Sequence, residues 1–244
     1  SDADLAAAPR SNLKPGGGVA RVTVGGTDYV IKQRAGVETS GPQEEMISGL
    51  AGAAGVAMPR STMTTIGGKP ALLTQFVTGQ TLDAMPEADR KAALAKVPKP
   101  DVDKQALFDY LVGHSDVHTG NFMVTTDHRL VGIDKELVFG NGGVQGQQFK
   151  IPHYLSDLGP RGADTMYEFD RETVRTMAAA GRTMADRLAT QGRSADAKAV
   201  LSRVAVLDKL ASDAGPTTAG ALWKLGKQGV RVPGQGLLGR LLGR

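Results

Sequence analysis

Short runs of alternating apolar and polar residues open the chain and predict a β-rich beginning. VARVTV and DYVIKQR both alternate, and the glycines at 25 and 26 between them supply a tight turn, which predicts a hairpin. STMTTI and PALLTQFV have the same character around the glycines at 67 and 68. Between the two pairs, apolar residues recur at helical spacing over residues 42 to 54, with Pro42 at the start. The predicted order is strand, strand, helix, strand, strand.

Helical periodicity dominates after residue 86. EADRKAALAKV and DKQALFDYLVG are predicted to form helices that PKP separates, and FMVTT and RLVGID predict a further strand pair. Three more helical stretches follow, at residues 171 to 180, 183 to 190 and 195 to 211. We therefore expect an α+β fold. Its expected parts are a leader (1–13), a β-rich unit (14–79), a mostly helical unit (80–236) and a C-terminal tail (237–244).

Composition excludes several classes of function. The 244 residues are 41% apolar, enough for a core, and the absence of cysteine excludes disulfides, thiol nucleophiles and thiolate metal sites. The 29 basic and 25 acidic residues are scattered and give a net charge of only +4, which argues against a nucleic-acid partner. No apolar run is long enough to cross a membrane, and SDADLAAAPR lacks the pattern of a signal peptide. We expect a soluble protein without stable membrane insertion; none of these features predicts its oligomeric state.

The stretch HSDVHTGN concentrates polar side chains between apolar segments. His114, Asp116 and His118 alternate, so on a strand they would share one face, as the metal ligands of a hydrolase can. An Asx-rich turn is a second interpretation. In the third, phosphoryl transfer, Asp116 orients an acceptor hydroxyl and accepts its proton, while Asn121 and the later Asp134 hold magnesium. We favour the third because one geometry explains most of the residues, and in it both histidines brace the loop.

The same chemistry needs a fixed cation for the nucleotide phosphates and a carboxylate that holds the cation. Lys32 ends the strand YVIK, and Glu44 and Glu45 lie near the start of the following helix. Glu44 is favoured because its helical offset places it on the apolar face, but Glu45 stays open. Glycines that would let backbone amides approach phosphate precede the hairpin, at Gly16, Gly17 and Gly18.

On these residues the chain resembles the protein-kinase-like superfamily over about residues 14 to 140. GGGVARVTVGGTDYVIK and LFDYLVGHSDVHTGNFMV are similar to the atypical branch that includes phosphoinositide lipid kinases and HipA-type bacterial serine kinases. HSDVHTGN and GVAMPRS also resemble aminoglycoside and choline phosphotransferases. The resemblance implies a bilobal fold, with a β-rich N-lobe that contains one helix and a mostly helical C-lobe. It also implies ATP and Mg²⁺ as cofactors, and a hinge in which Phe76 and Val77 face adenine.

Two departures from the kinase pattern bear on control and on the acceptor. Asp134, Lys135 and Glu136 stand in place of Asp-Phe-Gly, and no Ala-Pro-Glu follows, so the aromatic switch of regulated protein kinases is not expected. The connection from the hinge to the catalytic loop is short, which disfavours the acceptor-binding insertion of small-molecule phosphotransferases.

The sequence therefore predicts a protein serine/threonine kinase. A small-molecule phosphotransferase and a nucleotide-binding pseudokinase that acts as an interaction module are the alternatives. The compact size and the lack of an initiator methionine suggest a bacterial effector or toxin domain, either cytoplasmic or delivered to a host cytoplasm.

Overall fold

The computed structural model describes residues 2–13, 18–135, 138–139, 150–159 and 163–228. Contacts divide the chain into two compact units. The first contains Ser1–Asp101 and Thr119–Val138, and the second contains Val102–His118 and Phe139–Arg244. The lobe and tail boundaries expected from the sequence stay predictions.

A five-stranded antiparallel sheet lies in the first unit. Its strands, in the spatial order β1-β2-β3-β5-β4, are β1 (Arg10–Asn12), β2 (Val19–Val24), β3 (Thr27–Lys32), β4 (Ser61–Ile66) and β5 (Lys69–Gln75). The glycines at 25 and 26 link β2 to β3, those at 67 and 68 link β4 to β5, and all four have positive φ. This backbone conformation favours glycine. Both hairpins predicted from the sequence are confirmed.

The first residues fold onto this sheet. Helix α1 (Asp2–Ala7) places Leu5 in an apolar cluster with Val22, Ile31 and Ile66 of the sheet. Strand β1 pairs antiparallel with β2. A helix of 6 residues and a fully exposed strand of 3 residues are too short to show a periodic pattern, so the sequence did not predict them.

Helix α2 (Val37–Ala53) packs against β4 and β5. It begins before residue 42, the expected start, because Gly36 with a φ of +84° leads into it and Pro42 is accommodated inside the helix. Proline is commonest at the first helical position, which is why the sequence pattern placed the start there. The buried face of α2 includes Glu44 as well as apolar residues.

A second, three-stranded sheet completes the first unit together with helix α3 (Glu87–Leu94). Its strands, in the order β6-β7-β8, are β6 (Gly79–Thr81), β7 (Phe122–Thr125) and β8 (Leu130–Gly132). The predicted pairing of FMVTT with RLVGID is therefore confirmed. This pair matters for function because predicted metal ligands precede β7 and follow β8.

Helices dominate the second unit. They are α4 (Lys99–Val112, whose first residues belong to the first unit), α5 (Arg171–Thr190), α6 (Ser194–Ser212) and α7 (Ala219–Gln228). The two helices expected at 171–180 and 183–190 are one continuous helix, α5. Gly181 does not break it; a Cβ there would lie only 2.5 Å from Val204 Cγ2 and 2.9 Å from Leu111 Cδ2, so glycine permits close packing.

The α+β class expected from the sequence is confirmed, with a sheet-rich N-terminal part and a helical C-terminal part. In the part of the chain that the structure describes, no helix combines the length and the apolar character needed to span a membrane.

Replacing Leu5 by alanine should test the docking of α1. We expect the free energy of unfolding to fall by about 2 kcal/mol, because the substitution leaves a cavity in the apolar cluster. Leu13, which is 46% exposed, provides the matched control, and Leu13→Ala should change stability by less than about 0.5 kcal/mol. Urea unfolding of the full chain measures both. Equal effects would show that α1 does not pack as described.

Candidate active site

Lys32 lies buried at the end of β3, between two carboxylates. Its Nζ donates hydrogen bonds to Glu44 Oε2 at 2.7 Å and to Asp134 Oδ1 at 2.8 Å, and only 9% of the residue is exposed. Strand alternation turns Lys32 to the sheet face opposite Ile31, which belongs to the apolar cluster around Leu5. Two acids from distant parts of the sequence therefore meet one cation on the other face of the sheet.

The two acids fix the charge of Lys32. Burial alone would lower the pKa of the ammonium group, but the carboxylates of Glu44 and Asp134 outweigh burial and raise the pKa above its ordinary value. Because its pKa is raised in the folded state, the charged form of Lys32 stabilises the fold. This stabilisation is complete at pH values below the pKa of an unfolded lysine. That contribution is lost only as the pH rises through the folded-state value. Lys32 is therefore a permanent cation at neutral pH.

Glu44 is the partner of Lys32 among the two acids that the sequence left open. Its side chain is 2% exposed and lies on the buried face of α2 with Ile47 and Ala51, whereas Glu45 is only partly buried. Consecutive residues of a helix point about 100° apart, so the two acids cannot both face the sheet. Helix α2 thus supplies the carboxylate that holds the buried cation.

Asn121 and Asp134 lie at the same end of the β7–β8 pair. The backbone N–H of Ile133 donates a hydrogen bond to the carbonyl of Asn121 at 2.9 Å, which ties the two segments together. Asp134 has a φ of +55°, an uncommon backbone conformation that recurs at functional sites. Magnesium is bound by a few protein oxygens together with substrate phosphates, so an amide and a carboxylate at this position fit the predicted ion. Glu136 lies outside the described residues.

The stretch that begins at His114 is not a strand, so its histidines do not share a face. His114 is buried, with Nδ1 3.4 Å from Asp109 Oδ1, whereas His118 is exposed, with Nε2 3.5 Å from Asp116 Oδ2. No group of three or more histidine, aspartate or glutamate side chains that could hold a metal forms among the described residues. The hydrolase interpretation therefore has no counterpart in the described part of the chain.

Asp116, the predicted acceptor base, lies in the second unit on the loop after α4. Its side chain is 48% exposed and has His118 as a neighbour. The structure brings Lys32, Glu44 and Asp134 together in the first unit, where Asn121 is also found. The catalytic roles of Asp116 and of the first-unit residues stay predictions.

The predicted phosphate-covering glycines lie in the connection between β1 and β2. Gly16 and Gly17 fall outside the described residues. Gly18 has a φ of +83°, and a Cβ there would lie 3.1 Å from Arg34 Cβ. The pairing of β1 with β2 was not predicted from the sequence.

The predicted hinge follows β5, and both Phe76 and Val77 are half-buried. The N–H of Phe76 donates a hydrogen bond to the carbonyl of Asp28 at 3.0 Å. The guanidinium group of Arg21, which also pairs with Asp28, lies 4.3 Å above the Phe76 ring. One face of the ring is therefore occupied, and the contact with adenine stays a prediction for the other face or the edge.

Two residues near Asp134 have contacts that the sequence did not predict. Lys135 stands where kinases have an aromatic residue; it is fully buried, with Nζ 4.1 Å from the centre of the Phe122 ring. Gln43 donates a hydrogen bond from Nε2 to the carbonyl of Val138 at 2.8 Å. The Asp-Lys-Glu sequence signals that the aromatic residue is replaced, but no sequence signal marks Gln43.

Replacing Glu44 by glutamine should destabilise the chain by about 3 kcal/mol, because the buried ammonium of Lys32 loses one of its compensating charges. Glu45→Gln is the matched control on the neighbouring helical position and should change stability by less than about 0.5 kcal/mol. Urea unfolding at neutral pH measures both variants. Similar losses in the two variants would contradict the pairing of Lys32 with Glu44.

Comparison with known proteins gives a match in structure. No protein family pattern and no curated protein matches this sequence. The proinflammatory kinase CtkA of Helicobacter pylori is similar with a TM-score of 0.50 and 12% identity, over 84% of this chain and 92% of that chain. HipA of Shewanella oneidensis MR-1, solved with HipB and operator DNA of the toxin–antitoxin system, has a TM-score of 0.49 and 14% identity, over 85% of this chain and 68% of its own. At this level of identity the similarity concerns the fold alone. The resemblance found in the sequence is confirmed at that level: the chain has a protein-kinase-like fold.

Proposed function

We propose that the protein is an ATP- and Mg²⁺-dependent phosphotransferase whose acceptor is a serine or threonine hydroxyl of a protein. The observation that carries the proposal is the buried Lys32 between Glu44 and Asp134, in a chain with a kinase-like fold. A buried ion pair is rarely more stabilising than apolar side chains of the same size. Phosphoryl transfer, in contrast, requires a fixed positive charge beside the phosphates.

The first unit would bind the nucleotide. Lys32 would donate hydrogen bonds to the α- and β-phosphates while Glu44 keeps its ammonium at the end of the strand. Asn121 and Asp134 would hold Mg²⁺, which neutralises charge on the β- and γ-phosphates when bound. Asp134 would then divide its carboxylate oxygens between Lys32 and the ion. The remaining proposed contacts are the glycine turn over the phosphates (Gly16, Gly17 and Gly18) and the hinge beside adenine (Phe76 and Val77).

Asp116 would act on the acceptor. Its carboxylate would accept a hydrogen bond from the hydroxyl and orient the oxygen towards the γ-phosphorus. As the new oxygen–phosphorus bond forms, the bond to the β–γ bridging oxygen breaks, ADP leaves with that electron pair, and the hydroxyl proton passes to Asp116. The exposure of Asp116 is compatible with access by an external acceptor.

A protein acceptor is favoured by the short path between the hinge and the catalytic loop. Between β5 and His114 the chain forms β6, one 3₁₀ turn, α3 and α4, with no inserted subdomain that would enclose a small acceptor. We include in the proposal a role as a bacterial effector or toxin domain acting in the cytoplasm of the bacterium or of a host. Its support is that the Helicobacter pylori kinase of this fold is described as proinflammatory.

Asp134→Ala should abolish Mg²⁺-dependent ATP turnover, with a loss on the order of 10³-fold, because the charge-stabilising ion loses a ligand. Asp127→Ala provides a control at the exposed turn between β7 and β8 and should be fully active. Circular dichroism confirms that both variants fold. Unchanged turnover in folded Asp134→Ala would remove Asp134 from the site.

Asp116→Ala should retain nucleotide binding but lose transfer. Asp208→Ala is a control with matched exposure, since the side chain of Asp208 is 47% exposed and that of Asp116 is 48% exposed. The measurement is intact mass after incubation with ATP and Mg²⁺, alone and with a generic protein or host lysate. A gain of one phosphate with the wild type and Asp208→Ala, but not with Asp116→Ala, supports the proposal. If the wild type binds nucleotide but no protein gains the mass of a phosphate, the result would point to a small-molecule acceptor or a pseudokinase.

A further inference from the structure

We infer that Asp109, on the last turn of α4, is a positioning residue that acts through His114 on the catalytic loop. The inference rests on the proposed function, because it concerns the placement of Asp116. Asp109 and His114 are fully buried, and His114 Nδ1 lies 3.4 Å from Asp109 Oδ1. Asp116 follows His114 by two residues, so its Cα lies within about 7 Å of the Cα of the anchored His114.

The backbone of Asp109 also holds His114. The N–H of His114 donates a hydrogen bond to the carbonyl of Asp109 at 2.9 Å, and the N–H of Gly113 donates to the carbonyl of Tyr110 at 3.1 Å. With Gly113 at a φ of +61°, these two bonds form the Schellman motif that ends many helices. Asp109 therefore contacts His114 twice, through a backbone hydrogen bond to its carbonyl and through the 3.4 Å approach of its carboxylate to Nδ1.

The other carbonyls of the last turn of α4 are also satisfied. Arg203 of α6 donates from its guanidinium to the carbonyl of Leu111 at 3.1 Å, and the N–H of Phe139 donates to the carbonyl of Val112 at 2.8 Å. The Arg203 side chain fills the space beside Gly113, and a Cβ on Gly113 would lie 2.2 Å from Arg203 Nη2. The four carbonyls that a helix end leaves without helical partners thus all have partners here. The loop begins from a rigid point.

The buried hydroxyl of Tyr154, in the second unit, interacts electrostatically with Asp109. Burial raises the pKa of the Tyr154 hydroxyl well above its usual range, and the nearby carboxylate of Asp109 raises it further, so Tyr154 stays a neutral O–H. Apolar residues of similar volume would often stabilise such a position as well as a buried aspartate and histidine do. The advantage of the polar pair is its directionality, because the Asp109 carboxylate and the His114 imidazole fix one orientation of the loop.

Asp103 offers a matched control on the same helix. Its carboxylate is also fully buried, but it accepts hydrogen bonds from the Tyr167 hydroxyl at 2.6 Å and from the N–H of Asp170 at 2.8 Å. These bonds hold the segment that leads into α5, and they do not involve the catalytic loop. Asp103→Asn should therefore affect stability as Asp109→Asn does, without displacing Asp116.

The test compares Asp109→Asn, His114→Leu and their double variant with Asp103→Asn. With dephosphorylated casein and labelled ATP, both single variants should lose about 100-fold in kcat with an unchanged KM for ATP, since a misplacement of about 1 Å has an effect of this size. The double variant should be no worse than either single variant, and Asp103→Asn should keep the wild-type kcat. His114→Asn, which retains a nitrogen donor near the Nδ1 position, should recover most of the activity.

Hydrogen exchange of the amides at residues 114 to 118 provides a readout that does not depend on activity. Exchange should accelerate in Asp109→Asn and His114→Leu but not in Asp103→Asn. Unchanged exchange, equal kcat losses in Asp103→Asn and Asp109→Asn, or additive losses in the double variant would overturn the inference. A wild type that transfers no phosphate would overturn the proposed function instead, and exchange would still decide the role of Asp109. Should Asp109→Asn fail to fold, His114→Leu and His114→Asn decide the question.

Discussion

The buried ammonium group of Lys32 is the constraint on which the first unit depends. A cation taken out of water must be compensated within a few ångströms, and here Glu44 and Asp134 provide the compensation. The three residues come from β3, α2 and the segment after β8, so one electrostatic requirement joins a strand, a helix and a loop that are distant in sequence. A shift of any one of the three elements alone would break at least one of the two ion pairs of Lys32.

Helix α2 couples this requirement to the segment that carries the predicted metal ligand. Glu44 binds Lys32, and the preceding residue, Gln43, binds the carbonyl of Val138, so adjacent side chains hold both the cation and the chain after Asp134. A displacement of α2 would weaken both contacts at once. The position of α2 and the geometry of Asp134 are therefore not independent. In a chain without the Asp-Phe-Gly aromatic residue, this coupling gives α2 a direct connection to the proposed metal site.

Much of this arrangement could be predicted from the sequence, because the signals are local. Paired glycines between alternating runs predicted two hairpins, and motif spacing selected Lys32 and Asp134 before their contact was known. The choice between Glu44 and Glu45 depended on which face α2 turns towards the sheet. The sequence pattern also placed the start of this helix too late, at its proline. The docking of α1 and the continuity of α5 through Gly181 depend on tertiary contacts, which no local pattern encodes.

The buried acid on α4 shows why charge arrangement, more than similarity of fold, carries the functional argument. Helix α4 is buried along nearly its whole length after Val102, and an aspartate in the apolar run ALFDYLV is unusual unless it has a specific partner. The sequence contains that signal but not the partner, because His114 reaches Asp109 only after the helix has ended at Gly113. A fold shared at 12% identity does not determine such pairings. Lys32 with its two acids and Asp109 with His114 are properties of this chain. In the proposed function the first group places a cation beside the phosphates, and the second positions Asp116.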